Sequence, residues 1–247
     1  RINGVAAEGA RRGVEVIPGI ELDAFFFGET LHLLGLGIDP DHPALRAITD
    51  RHMARYARLG AAVERLLREG GAEVPDPERL AERYPTHPAP IANPWFFRDF
   101  FRDDAASKAI FAQSLKKAVA AGGDHWASFT EVRDAVHAAG GVLLLAHVAR
   151  FRPGHAAGQE GLIRDLLALG MDGFELYHPS NTADPAFPAL QALAERLGCP
   201  VSGGSDSHEP GQTIGSCGAP EALVEPLREA LVRCREGRPL ANGAVSE

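Results

Sequence analysis

Cysteine is scarce in this chain. Cys199, Cys217 and Cys234 are the only three among 247 residues, and no CxxC spacing occurs. That excludes a disulfide framework and a thiolate zinc site, and it points to a reducing, cytoplasmic setting. Basic charge is also short. The 25 Lys and Arg stand against 33 Asp and Glu, a net charge of −8, so neither an extended nucleic-acid surface nor a membrane-binding face is expected. A small local basic pocket is still allowed. Lysine is confined to Lys108, Lys116 and Lys117, all on one predicted helix, which disfavours a hydrolase of C–N bonds built on a carboxylated lysine. No GxSxG elbow occurs and no cysteine sits beside a strand-end histidine, so nucleophilic catalysis by Ser or Cys finds little support. There is no apolar run of some 18 residues and no basic-then-apolar leader, hence no expected membrane span or signal peptide. The first residue is Arg1 rather than a methionine, and a segment upstream of it is expected.

What is present suffices for a sizeable core. The chain is 45% hydrophobic, and its length suits one α/β barrel, or a compact core with one insertion. Asn3 to Gly13 reads as a helix, and Val14 to Ile20 as a β-branched buried strand ending in PGIE, which puts Glu21 where that strand leaves the core. LDAFFFGETLHLLGLGID reads as a hairpin. A loop over Phe25 to Gly28 would pair Glu21 directly with His32, and that register is the expected one because it brings both side chains to one mouth.

Pro43 to Glu69 has the period of a long amphipathic helix closed by Gly70 and Gly71, with Arg51, Arg55 and Arg58 on one face. That stripe suits a solvated face; a phosphate-facing strip is the alternative. Gly70 to Pro94 reads as irregular. PWFFRDFFRDD supplies core aromatics, or else a stacking surface for a base, before a second helix at Ala106 to Ala120. Residues 43–125 are therefore predicted to be a helical insertion subdomain in a barrel made of 1–42 and 126–247.

The α/β rhythm resumes with a capping box at Ser128 and Glu131. Strand Val142 to Ala146 delivers His147 and then Arg150. Strand Gly173 to Tyr177 ends in His178. The last predicted strand runs into GGSDSH, where small residues let the backbone turn and present Asp206 and His208. In a parallel barrel all the carboxyl ends of strands open on one face. A core has no structural reason to finish successive strands with His, Glu or Asp, whereas a divalent cation takes this mixture of oxygen and nitrogen donors.

IPGIEL, HLLGLGIDP beginning at His32, LLLAH with Arg150, FELYHPS and GSDSHEP together resemble the PHP (polymerase and histidinol phosphatase) family, in its branch of nucleoside 3′,5′-bisphosphate phosphatase-like phosphoesterases. The resemblance implies an α/β fold, a distorted (β/α)7 barrel. It also implies two or three divalent metal ions at the barrel mouth, Mn²⁺ foremost, with Fe²⁺ or Zn²⁺ open. By matching position Glu21 would bridge two metals, and His32, His147, Asp206 and His208 would be further ligands. Arg150 and His178 would face the substrate phosphate, with His178 also donating a proton to the leaving group. The implied activity is hydrolysis of phosphate monoesters of a nucleotide, a nucleoside bisphosphate or a short oligonucleotide by a metal-bridged hydroxide.

The family's opening HxH and TDHD motifs do not occur in these residues, consistent with the expected upstream segment, and the insertion has NPWFFRDF where relatives carry Arg and His. A non-catalytic barrel binding a nucleotide or a metal, a histidinol-phosphate phosphatase and a hydrolase of C–N bonds are the competing readings.

Overall fold

A computed structural model describes residues 2–84, 93–122, 126–207 and 213–236. The chain divides into two compact units, one of residues 1–48 and 126–247, the other of residues 49–125.

In the first unit, helix α1 (Ile2–Arg11) is followed by Gly13 in a left-handed conformation, φ 70°. The expected strand over Val14 to Ile20 does not form there. Val14 and Ile17 are exposed, and strand β1 begins only at Gly19, running Gly19–Phe26. A β-branched run becomes a strand only where a neighbour can pair with it. Here the Val14 N–H instead donates back to the Gly9 carbonyl at 2.9 Å.

Strand β1 pairs antiparallel with β2 (Glu29–Leu36) around a two-residue turn at Phe27 and Gly28, with φ of 41° and 88°. Two positive φ values define a type I′ turn, whose twist matches that of the flanking strands. This tighter turn corrects the expected register. Asp23, not Glu21, lies opposite His32, and Glu21 faces Leu34.

The sheet continues with β3 (Val142–Leu145), β4 (Gly173–Tyr177) and β5 (Val201–Gly203) in the order β1-β2-β3-β4-β5. Strands β3, β4 and β5 are parallel, whereas β2 runs against β3. The start of β2 therefore lies beside the end of β3, and Ala146 N donates to the His32 carbonyl at 3.0 Å. Gly173 is obligatory for the pairing of β4 with β5, since a Cβ would stand 1.9 Å from the Pro200 carbonyl oxygen.

Pleating sends alternate residues to opposite faces. One face carries Leu22, Ala24, Leu33, Leu145, Phe174 and Leu176 into the main core. Covering it are α6 (Phe129–Ala138), α7 (Ala156–Ala168) and α9 (Phe187–Leu197). Helix α6 opens with the expected Ser128–Glu131 capping box. On the other face Val142 and Leu144 pack with Leu227, Ala230 and Leu231 of α10 (Glu221–Arg235). Glu21, Asp23, His32 and Glu175 alternate with the core residues and so belong to this second face. The architecture is α/β, as expected, with a five-stranded mixed sheet among the described residues.

Helix α2 (Pro43–Glu69) has the bounds expected of it. In the second unit its Leu59, Val63 and Leu67 form a core with Leu80, Phe97, Phe101 and Phe111. These side chains come from α3 (Pro77–Arg83), α4 (Trp95–Phe100) with its next residue, and α5 (Ala105–Ala121). Helix α3 corrects the irregular reading of that stretch. Phe97 and Phe101 stand four residues apart on one helical side, the spacing that buries both.

Candidate metal centre

Three side chains from three strands converge at the mouth. Glu21 Oε1, His32 Nδ1 and His147 Nε2 form a triangle with sides of 2.9, 3.2 and 3.2 Å. A cation held at about 2.1 Å has neighbouring ligands about 3.0 Å apart in octahedral and about 3.4 Å apart in tetrahedral coordination. The observed edges fall within about 0.1 Å of that range, nearest the octahedral value. Two imidazole nitrogens and a carboxylate oxygen also form the donor set that Mn²⁺, Fe²⁺ or Zn²⁺ takes. The residues present therefore fit a divalent cation.

Each donor is held from behind. His32 presents Nδ1 to the triangle while its Nε2 lies 3.3 Å from Asp23 Oδ1, which orients the ring. His147 is buried and adopts φ 31° and ψ 59°. A non-glycine residue in this left-handed region costs about 1–2 kcal/mol. The conformation is held by Glu175, whose Oε2 accepts from the His147 backbone N–H at 2.9 Å. His147 Nδ1 is buried with no hydrogen-bond partner among the described residues.

The electrostatics follow from this packing. Burial alone would raise the Glu21 carboxyl, but hydrogen bonds to His147 and His32 and their charge outweigh it and hold the group well below the usual carboxylate range. Burial disfavours the His32 imidazolium, and the Glu21 and Asp23 carboxylates more than offset this. Burial, reinforced by the charges of Glu21 and Asp206, pushes Glu175 up to about 7 against the pull of the His147 N–H. His178 is driven by burial toward its neutral form.

Beside the triangle lies a cleft of about 440 Å³ lined by Arg150, His178, Ser180, Ser205, Asp206 and Ser207, among others. Arg150 Nη2 donates to Asp206 Oδ2 at 2.8 Å, and His178 Nε2 stands 3.4 Å from the same oxygen. The His147 and His178 rings are 5.3 Å apart, centroid to centroid, so cleft and triangle are neighbours. Of the residues expected from the sequence, Glu21, His32 and His147 meet directly. Arg150, His178 and Asp206 form the adjoining group, and His208 lies outside the described residues.

Asp23 and Glu175 were not anticipated. Asp23 is hidden by the register error. For Glu175 a signal exists: FELY alternates, and the glutamate sits between two core residues on a strand otherwise apolar, which sends it to the mouth side.

Such a site on such a sheet suits a metal-dependent hydrolase. No family model matches the chain. A 3′,5′-nucleoside bisphosphate phosphatase of Chromobacterium violaceum is 31% identical over 242 residues, 95% of this chain and 82% of that protein. A phosphoribosyl 1,2-cyclic phosphate 1,2-diphosphodiesterase of Eggerthella lenta is 34% identical over 218 residues, covering 81% and 75% respectively. The solved structure of an amidohydrolase from Chromobacterium violaceum, with bound sulfate and no metal, superposes with a TM-score of 0.66 at 26% identity, over 99% of this chain and 84% of that one. The chain belongs to the PHP family of metal-dependent phosphoesterases, and its activity is the hydrolysis of phosphate esters.

Proposed function

We propose that the protein removes the phosphate of a small phosphorylated substrate, a nucleotide or nucleoside bisphosphate first. Glu21, His32, His147 and Asp206 are assigned as cation ligands, with His208 as a further one on its spacing from Asp206. The observation that carries the reading is the Glu21–His32–His147 triangle next to an arginine-lined cleft. The solved relative that holds sulfate and the phosphatase relative support an oxyanion as the ligand of this fold. The three cysteines are free, which supports a reducing, cytoplasmic setting. Among the described residues no helix is long and apolar enough to cross a membrane.

Divalent cations held by these residues, Mn²⁺ first, would supply Lewis acidity to the phosphoryl oxygens and would lower the pKa of a bound water toward neutrality. The chain's own groups do the rest. Glu21 concentrates negative charge at the centre of the site. Arg150 offers a planar fork that matches phosphate oxygens. His178, neutral in the free protein, lines the same cleft; the negative charge of a bound phosphate would favour its protonated form, from which it would give a proton to the leaving oxygen.

The test is a panel assay of Mn²⁺-loaded protein. It compares a nucleoside 3′,5′-bisphosphate, a nucleoside monophosphate, histidinol phosphate, a cyclic phosphate and a short 5′-phosphorylated oligoribonucleotide. Preference for a nucleoside phosphate is the expected result. Turnover of none of them, with metal bound, would sink the assignment.

A further inference from the structure

The turn after β3 carries two functional side chains. His147 points into the cation triangle, and Arg150, three residues on, points to the cleft. The turn begins with His147 at a positive φ and continues through a single 3-10 turn, Val148–Arg150. Histidine adopts a positive φ more readily than most residues, but still at a cost, so the turn needs contacts from outside itself to hold it. The stabilising contacts come from β4 and from α8 (Pro179–Thr182).

Glu175 is buried and spends Oε2 on the His147 backbone N–H, 2.9 Å away. Asn181 is fully buried, and its Oδ1 accepts from Ala149 N at 2.9 Å while its Nδ2 donates to the Glu175 carbonyl at 2.8 Å. The brace is closed on its far side. A Cβ on Gly204 would stand 2.9 Å from Glu175 Oε1, so the glycine leaves space for the carboxylate.

We infer that Glu175 is a positioning residue: by gripping the His147 backbone, with Asn181 fixing the same turn two residues on, it sets a metal ligand and the phosphate clamp in one register. A carboxylate buried under the mouth without such a task would be replaceable by an apolar side chain at no loss. Its carboxylate bonds the His147 backbone N–H rather than a donor atom of the triangle, so Glu175 acts through the turn. The inference rests on the reading of Glu21, His32 and His147 as cation ligands.

Ion-free protein titrated calorimetrically with Mn²⁺ provides the test, at a temperature where circular dichroism shows each variant folded. Glu175→Ala is expected to bind Mn²⁺ at least about tenfold more weakly, in line with losses from outer-shell changes. Glu175→Gln keeps an oxygen that can accept from the His147 N–H and should stay within about threefold of the natural protein. Gly204→Ala, which pushes the carboxylate aside without removing it, should weaken binding in the same direction.

Equal Mn²⁺ affinity in Glu175→Ala, with only a lowered melting temperature, overturns the inference. If Glu175→Ala does not fold, Gly204→Ala decides, and unchanged affinity there overturns it too. Because cation affinity is the readout, failure of the natural protein to hydrolyse any phosphate ester would count against the proposed function and leave this result standing.

Discussion

Asp23 and His32 face each other across the β1–β2 ladder, with Oδ1 and Nε2 3.3 Å apart. The carboxylate holds one ring nitrogen, which leaves the other, 2.9 Å from Glu21 Oε1, to serve a cation. A carboxylate behind a ligating imidazole fixes its tautomer and raises its basicity. Asp23→Asn keeps the shape and removes the charge. It is expected to lower Mn²⁺ affinity about tenfold or more while leaving the circular dichroism spectrum unchanged. Isothermal titration decides it; unaltered affinity would mean that Asp23 has no part in holding the ligand.

Why the sequence put Glu21 in that facing position is instructive. The hairpin was legible from its two alternating arms, but its turn was not, because phenylalanine rarely occupies a position with positive φ. Glu21 and His32 still meet, since residues two apart on the same face are diagonal neighbours within reach of long side chains. The strand-end histidines His147 and His178 were legible because an apolar run stops abruptly at each. Helix α2 was legible to the residue, its 27-residue amphipathic run closed by Gly70 and Gly71. Glu175 was not, because a single carboxylate inside an apolar run reads as part of the strand unless its face is assigned. Val14 to Pro18 failed for the opposite reason. Its propensity was right, but among the described residues no strand pairs with it.

Phe27 itself offers a test of the hairpin. It is 88% exposed and sits at φ 41°, where a β-branched or bulky residue is strained and asparagine is at ease. Phe27→Asn should therefore stabilise the protein by about 0.5–1 kcal/mol. Urea unfolding followed by circular dichroism measures this, with an unchanged m value expected. A loss of stability would show that the aromatic ring contributes more than the backbone strain costs.

Cys199 gives a pH-dependent outcome. Burial pushes its thiol up to about 11. Only the thiolate reacts with alkylating agents, so at pH 8 about one molecule in a thousand is reactive at this position, and labelling should quicken about tenfold per pH unit until the pH nears 11. Peptide mapping after N-ethylmaleimide pulses across pH 7 to 10 follows it. A rate that levels off near pH 9 would place the thiol in open water.

Glu21 carries the sharpest activity test. Its carboxylate supplies the one negative charge inside the triangle, and Glu21→Gln keeps an oxygen while discarding that charge. Since a neutral amide oxygen is a far weaker donor to a hard cation than a carboxylate, Mn²⁺ binding and turnover should fall together, kcat/KM by about a thousandfold or more. The fold should persist, because Glu21 is partly exposed and outside the apolar core. Survival of activity with full metal occupancy would remove Glu21 from the ligand set.

Arg150 distinguishes charge from geometry. Its guanidinium donates to Asp206 Oδ2 at 2.8 Å and is about half exposed to the cleft, so one end of the fork is anchored while other N–H groups remain for an incoming oxyanion. Lysine would keep the positive charge but concentrate it on a single nitrogen at the end of a flexible stem, unable to hold Asp206 and two phosphate oxygens in one plane. If Arg150 acts by geometry, Arg150→Lys should raise KM about tenfold or more with a smaller change in kcat, as expected for binding shared by ground state and transition state. If it acted by charge alone, Lys would retain the natural KM and only Arg150→Ala would raise it. Steady-state kinetics of the three proteins on one phosphate ester, at fixed Mn²⁺ and ionic strength, separates the two.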